Sequence, residues 1–205
     1  MELIDIMIKN IIFDTGGVLI TRGKTPMGEL LARVLNISLA EGDQLWHDSL
    51  PDLLVGKYTS KEILTKWHHQ FSCKHDLDTL VTSWTKQWHI FDHEINNFIL
   101  NLLPQLKKDY QLFVLTDTID LYDPLIETKV YPFMNKVFRS SEHKLRKPNP
   151  EAYLNLCQQC AIKPYESVFI DDKKENVIAA EQIGMRGITF TSNEDFLQSL
   201  QTVLN

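Results

Sequence analysis

The sequence predicts an α/β protein: a doubly wound parallel sheet with an all-helical domain inserted after its first strand. Three observations carry that expectation. Short apolar runs that end on an acid or a hydroxyl recur along the chain, as "IIFD", "LFVLT" and "VFID". In the second half of the chain these runs alternate with helical patterns, as in parallel sheets with helical crossovers. Between the first run and the second, from about residue 20 to 91, every periodic segment is helical. That interval is too long for an ordinary crossover.

The elements follow in order. Lys9 to Asp14 is a continuous apolar run closing on an acid, the pattern of a central strand. Leu30, Leu31, Val34 and Leu35 share one helical face. Ile63, Leu64, Trp67 and Phe71 share another, and Leu77, Leu80, Val81, Trp84 and Trp88 a third. "TSKE", Thr59 to Glu62, has the form of a capping box that starts the second of these helices. A helix over Glu94 to Lys107 precedes a strand over Gln111 to Thr116, and a short helix near Leu121 to Lys129 leads to a strand over Lys136 to Phe138. "KPNP" opens the next helix, with Asn149 as N-cap and Pro150 in the first helical position. A strand over Ser167 to Asp171 and a helix over Glu175 to Ile183 follow, with Gly184 placed to end the helix. The strand "GITF" and an amphipathic helix over Glu194 to Leu204 complete the pattern.

Composition narrows the function. The 205 residues are 43% hydrophobic and 23% charged, which is ordinary for a globular protein. A net charge of −6 without a Lys/Arg cluster argues against a nucleic-acid partner. No apolar run approaches the ~18 residues of a membrane span. "MELIDIMIKN" has Glu2 and Asp5 where a secretory signal would be basic, so a cytoplasmic protein is expected. Three cysteines leave one unpaired, which fits a reducing compartment. Cys157 and Cys160 spell "CQQC", but they fall at i and i+3 of a helical pattern and are expected to be small apolar residues on a helix face.

In open parallel sheets, ligands bind beyond the carboxyl ends of the strands. The residues expected there are Asp14, Thr116 with Asp117, Lys144, Arg146 and Lys147 from the loop before "KPNP", and the pair Asp171 and Asp172. Several carboxylates together resist ionisation unless a cation sits among them. All-oxygen donors suit Mg²⁺. A metal, a nucleophile, a lysine and a hydroxyl donor are the equipment of phosphoryl transfer.

"FDTGGVL", "VLTDT", "RKPNPEAY" and "VFIDDKKENVIAAEQIGM" resemble, in order, the four motifs of the haloacid dehalogenase-like (HAD) hydrolase superfamily, spanning Ile11 to Met185. The inserted helices stand where subfamily I members carry a cap. The resemblance implies a Rossmann-like core of residues 1–19 and 92–205, with a strand order differing from the dinucleotide binders, and a helical cap of residues 20–91. Most members are Mg²⁺-dependent phosphatases. By that resemblance Asp14 is the nucleophile and forms an aspartyl-phosphate. Thr116, Asp117 and Lys147 meet the phosphate, with Lys144 a lesser candidate for the lysine. Asp14, the backbone carbonyl of Gly16 and Asp172 hold Mg²⁺, and Asp171 supports its waters.

Two letters depart from the family pattern. Gly16 stands where a second Asp usually protonates the leaving oxygen and then activates water. Loss of such an acid/base costs ~10²–10⁴-fold in rate. Some active members, including ones resembling the α-glucose-1-phosphate phosphatase, carry Gly there too. Asp117 stands where Asn is usual; either it points away from the phosphate or it has taken over part of the acid's work.

Other features have bland readings. Trp46, Trp67, Trp84 and Trp88 lie in the helical insertion with His47, His68, His69, His75 and His89; they either line a lid or fill a small core, and their helical spacing favours the core. His89 and His93 have i, i+4 spacing but no third ligand for zinc. Three rival functions remain. A haloacid dehalogenase needs no metal, which the pair Asp171 and Asp172 implies. A two-component receiver domain carries its acid pair near the first strand. A non-catalytic binding protein on this scaffold is kept open by Gly16 and Asp117. The expected activity is Mg²⁺-dependent hydrolysis of a small phosphorylated metabolite, a sugar phosphate by the subfamily resemblance. The sequence leaves monomer and homodimer equally open.

Overall fold

The computed structural model describes residues 7–21, 27–71, 73, 76–89, 94–121 and 124–204, with the backbone alone for 85–89 and 124. Five parallel strands form one sheet: β1 (Asn10–Phe13), β2 (Gln111–Thr116), β3 (Lys136–Arg139), β4 (Ser167–Asp171) and β5 (Arg186–Thr189). Their order is β3-β2-β1-β4-β5. This corrects one expectation, since it is the order of the first five strands of dinucleotide-binding sheets and not a different one. What distinguishes this chain is the turn after β1, which carries "DTGG" in place of a glycine-rich dinucleotide fingerprint.

Among the described residues, β2 is preceded by α1 (Met27–Leu35), α2 (Leu39–Leu54), α3 (Ser60–Phe71), α4 (Leu77–His89) and α5 (Asn97–Asp109), the last leading into the strand. After it come α6 (Pro124–Lys129), α7 (Ser140–His143), α8 (Pro150–Cys160), α9 (Lys174–Gln182) and α10 (Asn193–Leu204). The strand side chains alternate between two cores, because successive residues of a strand point to opposite faces. Ile11, Phe13, Val114 and Ile170 pack with Ile99 and Leu103 of α5 and Phe196 and Leu200 of α10. Ile12, Phe113 and Phe169 pack with Tyr153 and Leu156 of α8 and Ala180 of α9. With both faces covered, β1 and β4 are buried along their whole length.

Helices α1 to α4 gather around a third cluster that includes Leu31, Leu64, Trp67, Leu80 and Trp84. Trp67 and Trp84 are among the largest fully buried side chains, so they fill this core and do not line a lid. Trp46 packs on Trp84 with ring centroids 6.2 Å apart. His47 points to solvent. His75 and His93, and the side chains of Trp88 and His89, lie outside the described residues.

Among the described residues the block meets the rest of the chain at several places, Gly56 against Ser141 of α7 being one, and two of the others are hydrogen-bonded. The outgoing and returning connections run side by side: Thr21 N–H donates to the Glu94 carbonyl at 2.8 Å and Asn96 N–H to the Leu19 carbonyl at 2.9 Å. That pairing is why α5 starts at Asn97, capped by Asn96, and not at Glu94. The second hydrogen-bonded place is the segment after β2. Ile119 is buried in the α1–α4 cluster. Asp120 accepts the Ser60 N–H at 2.9 Å and the Ser60 hydroxyl at 2.5 Å.

Local signals account for several helix boundaries. Thr59 and Glu62 close the expected capping box at α3, and Asn149 caps α8 by accepting the Glu151 N–H. Gly184, at φ +93°, follows the end of α9. Ser38 and Glu41 close a second capping box at α2, a helix the sequence pattern does not single out because its exposed polar face dominates. Strand β5 starts and ends one residue earlier than "GITF" suggests. Cys157 is buried and Cys160 half-buried on α8, both as free thiols. No described helix is long and apolar enough to cross a membrane.

Candidate active site

Strand order reverses direction between β1 and β4, and the side chains at their carboxyl ends meet in that crevice. Phe13 pairs with Ile170, so Asp14 is the next residue out, level with Asp171. Its N–H donates to the Ile170 carbonyl at 2.8 Å. The turn behind it depends on Gly17, at φ +89°.

Lys147 reaches the crevice from the loop between α7 and α8. Its Nζ is 2.7 Å from Asp14 Oδ1 and 2.6 Å from Asp171 Oδ2. The lysine is only 4% exposed, Asp14 7% and Asp171 0%. Buried charges persist only when paired and hydrogen-bonded. Asp171 meets that condition fully: Oδ1 accepts the Lys173 N–H at 2.8 Å and Oδ2 also accepts from Asn176 Nδ2 at 2.9 Å. Burial pulls the Lys147 ammonium down, but the charges of Asp14 and Asp171 outweigh it and hold its pKa above the ordinary value. Burial raises the Asp14 carboxyl most, against the pull of Lys147, and leaves it at about 6. Asp14 is therefore mostly ionised at neutral pH, yet poorly solvated.

Thr116, at the end of β2, and Asp117 line the same cleft of about 270 Å³, with Gly16, Lys147, Lys173 and Asn176. Asp117 turns its carboxyl oxygens toward the loop: Oδ1 accepts the Lys147 N–H at 3.1 Å, and Oδ2 is 3.6 Å from Arg146 Nε. Burial raises its pKa. Lys144 is exposed, in a left-handed turn after α7, away from these contacts. Of the two lysine candidates, the structure brings only Lys147 to the carboxylates.

Asp172 is half-buried, and one oxygen from each of Asp14, Asp171 and Asp172 lies within 4.8 Å of the others. This donor set, three carboxylates and no nitrogen or sulfur, fits a hard divalent cation such as Mg²⁺. One ammonium does not balance three carboxylates; the nearby Asp171 adds to the rise in the Asp14 pKa that burial chiefly causes. Behind the site, Thr15 Oγ1 and Tyr131 OH share a hydrogen bond of 3.1 Å. Asn176 and Lys173 were not singled out from the sequence. The available signal was Asn176 itself, a polar residue sharing the buried face of α9 with Val177, Ala179 and Ala180.

The sequence model of the haloacid dehalogenase-like hydrolases matches residues 11–190. The chain belongs to this family. Among its relatives is the D-ribitol-5-phosphate phosphatase of Bacteroides thetaiotaomicron, 24% identical over 212 residues that cover 97% of this chain and 100% of that protein. A chloroplast flavin mononucleotide hydrolase of Arabidopsis thaliana is 31% identical over 94 residues, 45% of this chain and 38% of its own. A HAD family enzyme from B. thetaiotaomicron, crystallised with magnesium and inorganic phosphate, superposes with a TM-score of 0.76 at 23% identity, covering 94% of this HAD chain and 98% of that one. A 2-haloacid dehalogenase from Pseudomonas syringae has the same fold at a TM-score of 0.63 and 18% identity, over 90% of this chain and 86% of that one.

Proposed function

We propose that this HAD-like hydrolase is a Mg²⁺-dependent phosphomonoesterase acting on a small phosphorylated metabolite through an aspartyl-phosphate on Asp14. The observation that carries the reading is Lys147, whose ammonium bridges Asp14 and Asp171 at the point where the sheet order reverses. The Asp14 carboxylate attacks phosphorus, an Oδ–P bond forms and the ester P–O bond breaks, the leaving oxygen taking its proton from solvent because residue 16 carries no carboxyl. Water then attacks the same phosphorus, releasing inorganic phosphate and restoring the carboxylate. Two of the three Lys147 donors go to Asp14 and Asp171, and the third is available to a phosphoryl oxygen. The Thr116 hydroxyl, from a residue at the end of β2 that lines the same cleft, would do the same.

Asp14, the Gly16 carbonyl and Asp172 would hold Mg²⁺, while Asp171, buried with its oxygens engaged, would orient the ion's waters. When bound, the ion supplies positive charge against the carboxylates and the phosphate. The full-length relative named for D-ribitol 5-phosphate supports a sugar or polyol phosphate as substrate. Residues 20–91 would act as a cap that covers the bound substrate. Three free thiols fit a reducing cytoplasm. Gly16 supports one other reading, a site that binds phosphate without turnover.

Phosphate release from a panel of sugar and polyol phosphates tests the proposal. Wild type with Mg²⁺ is expected to release phosphate, and chelation or Asp14→Asn to abolish release. An Asp14→Asn variant as fast as wild type would refute the nucleophile. No release by wild type from any ester would favour the binding-only reading.

A further inference from the structure

Lys147 sits in a stretch without regular structure, between the left-handed Lys144 and the start of α8. Its side chain is held by the two carboxylates, but its backbone needs a separate anchor. That anchor comes from the strand end that also carries Thr116. The Lys147 N–H donates to Asp117 Oδ1 at 3.1 Å, and Arg146, the residue before it, stands 3.6 Å from Oδ2.

The base of Asp117 is fixed in turn. Thr118 N–H donates to Ser140 Oγ at 3.0 Å, and that hydroxyl donates back to the Thr118 carbonyl at 3.2 Å. Ile119 is 1% exposed. Asp120 is bound to the first turn of α3. A carboxylate on so constrained a segment is a rigid peg for the loop that faces it.

We propose that Asp117 is a positioning residue for Lys147, acting through the lysine's main-chain N–H, neither a ligand of the phosphate nor a donor of the leaving group's proton. It sets where the ammonium stands between Asp14 and Asp171. The Arg146 guanidinium offsets its charge, which would otherwise repel a phosphate. The inference rests on the role given to Lys147 above.

Substitution and coupling test it together. Asp117→Asn keeps an acceptor for the Lys147 N–H and is expected to keep kcat within a few-fold of wild type, for alkyl as for aryl phosphates. Asp117→Ala removes the acceptor and is expected to lower kcat about 10–100-fold, the usual cost of removing a supporting partner, with a smaller change in KM. In a Lys147→Ala background the same Asp117→Ala change is expected to cost nothing further, because its effect passes through Lys147. Costs that simply multiply would overturn the assignment, as would an Asp117→Asn variant that loses alkyl-phosphate turnover and keeps aryl turnover, the mark of a proton donor. Lys147→Ala at the wild-type rate would instead overturn the role of Lys147 itself.

Discussion

Gly17 faces Asp172 so closely that a Cβ on the glycine would stand 2.4 Å from Asp172 Oδ2. Gly17 also holds φ +89°, a conformation that L side chains rarely adopt. A Cβ on the neighbouring Gly16 would meet nothing within 4 Å, and its φ is not positive. The two adjacent glycines are therefore present for different reasons. Geometry demands Gly17, whereas the space beside Gly16 would admit a Cβ.

Gly17→Ala is expected to displace the Asp172 carboxyl. The Mg²⁺ concentration giving half-maximal phosphate release should rise about 10–100-fold. The strained backbone should also cost about 1–3 kcal/mol of stability. A metal titration of initial rates checks this. An unchanged Mg²⁺ requirement would mean that Asp172 does not hold the ion.

Asp14 carries a stability cost whose sign follows from its pKa. The folded carboxyl titrates at about 6 and an unfolded one near 3.8, so between those values the metal-free folded protein binds more protons than the unfolded chain. Stability of the metal-free protein therefore falls as pH rises through that window, and the cost is complete above it, at most about 3 kcal/mol. Asp14→Asn should raise the metal-free melting temperature at neutral pH and give little gain below pH ~4. Melting curves in chelator across pH decide it. A neutral-pH melting temperature below wild type would contradict the burial argument.

Asp120 joins the segment after β2 to α3 through the N–H and hydroxyl of Ser60. Asp120→Ala leaves the capping box of Thr59 and Glu62 in place but removes the bonds between the two parts. It should lower the unfolding free energy by about 1–3 kcal/mol, the cost of stranding part-buried polar groups. Urea titration followed by tryptophan fluorescence measures it, since Trp67 and Trp84 report from the same cluster. Stability equal to wild type would show that the contact contributes nothing.

Much of this was legible in the sequence, for identifiable reasons. The unbroken apolar runs of β1 and β4 exist because both faces of a parallel sheet are covered, and each run ends where its acid emerges into the crevice. Asn149 with Pro150, and Thr59 with Glu62, are local signals whose geometry depends on few distant contacts. Asn176 was not legible as a partner of Asp171, because its role appears only when the first turn of α9 folds back over the end of β4. The direction of the Asp117 carboxyl was equally hidden, being set by a loop about 30 residues away in the chain. The start of α5 was misplaced because Glu94 to Asn96 pairs with residues 19–21, a long-range contact that overrides helical periodicity.

Gly16 bears on the central claim, that Asp14 attacks phosphorus in a site without a carboxyl at the usual acid/base position. Comparing wild type and Gly16→Asp on an aryl and an alkyl phosphate tests it most directly, because an aryl leaving group needs little protonation. A Cβ at residue 16 meets nothing within 4 Å, so the new side chain starts in open space. Wild type should favour the aryl ester strongly, and Gly16→Asp should raise alkyl-phosphate turnover by up to ~10²–10⁴-fold with little effect on the aryl ester. Equal wild-type rates on the two esters, unmoved by Gly16→Asp, would contradict the account.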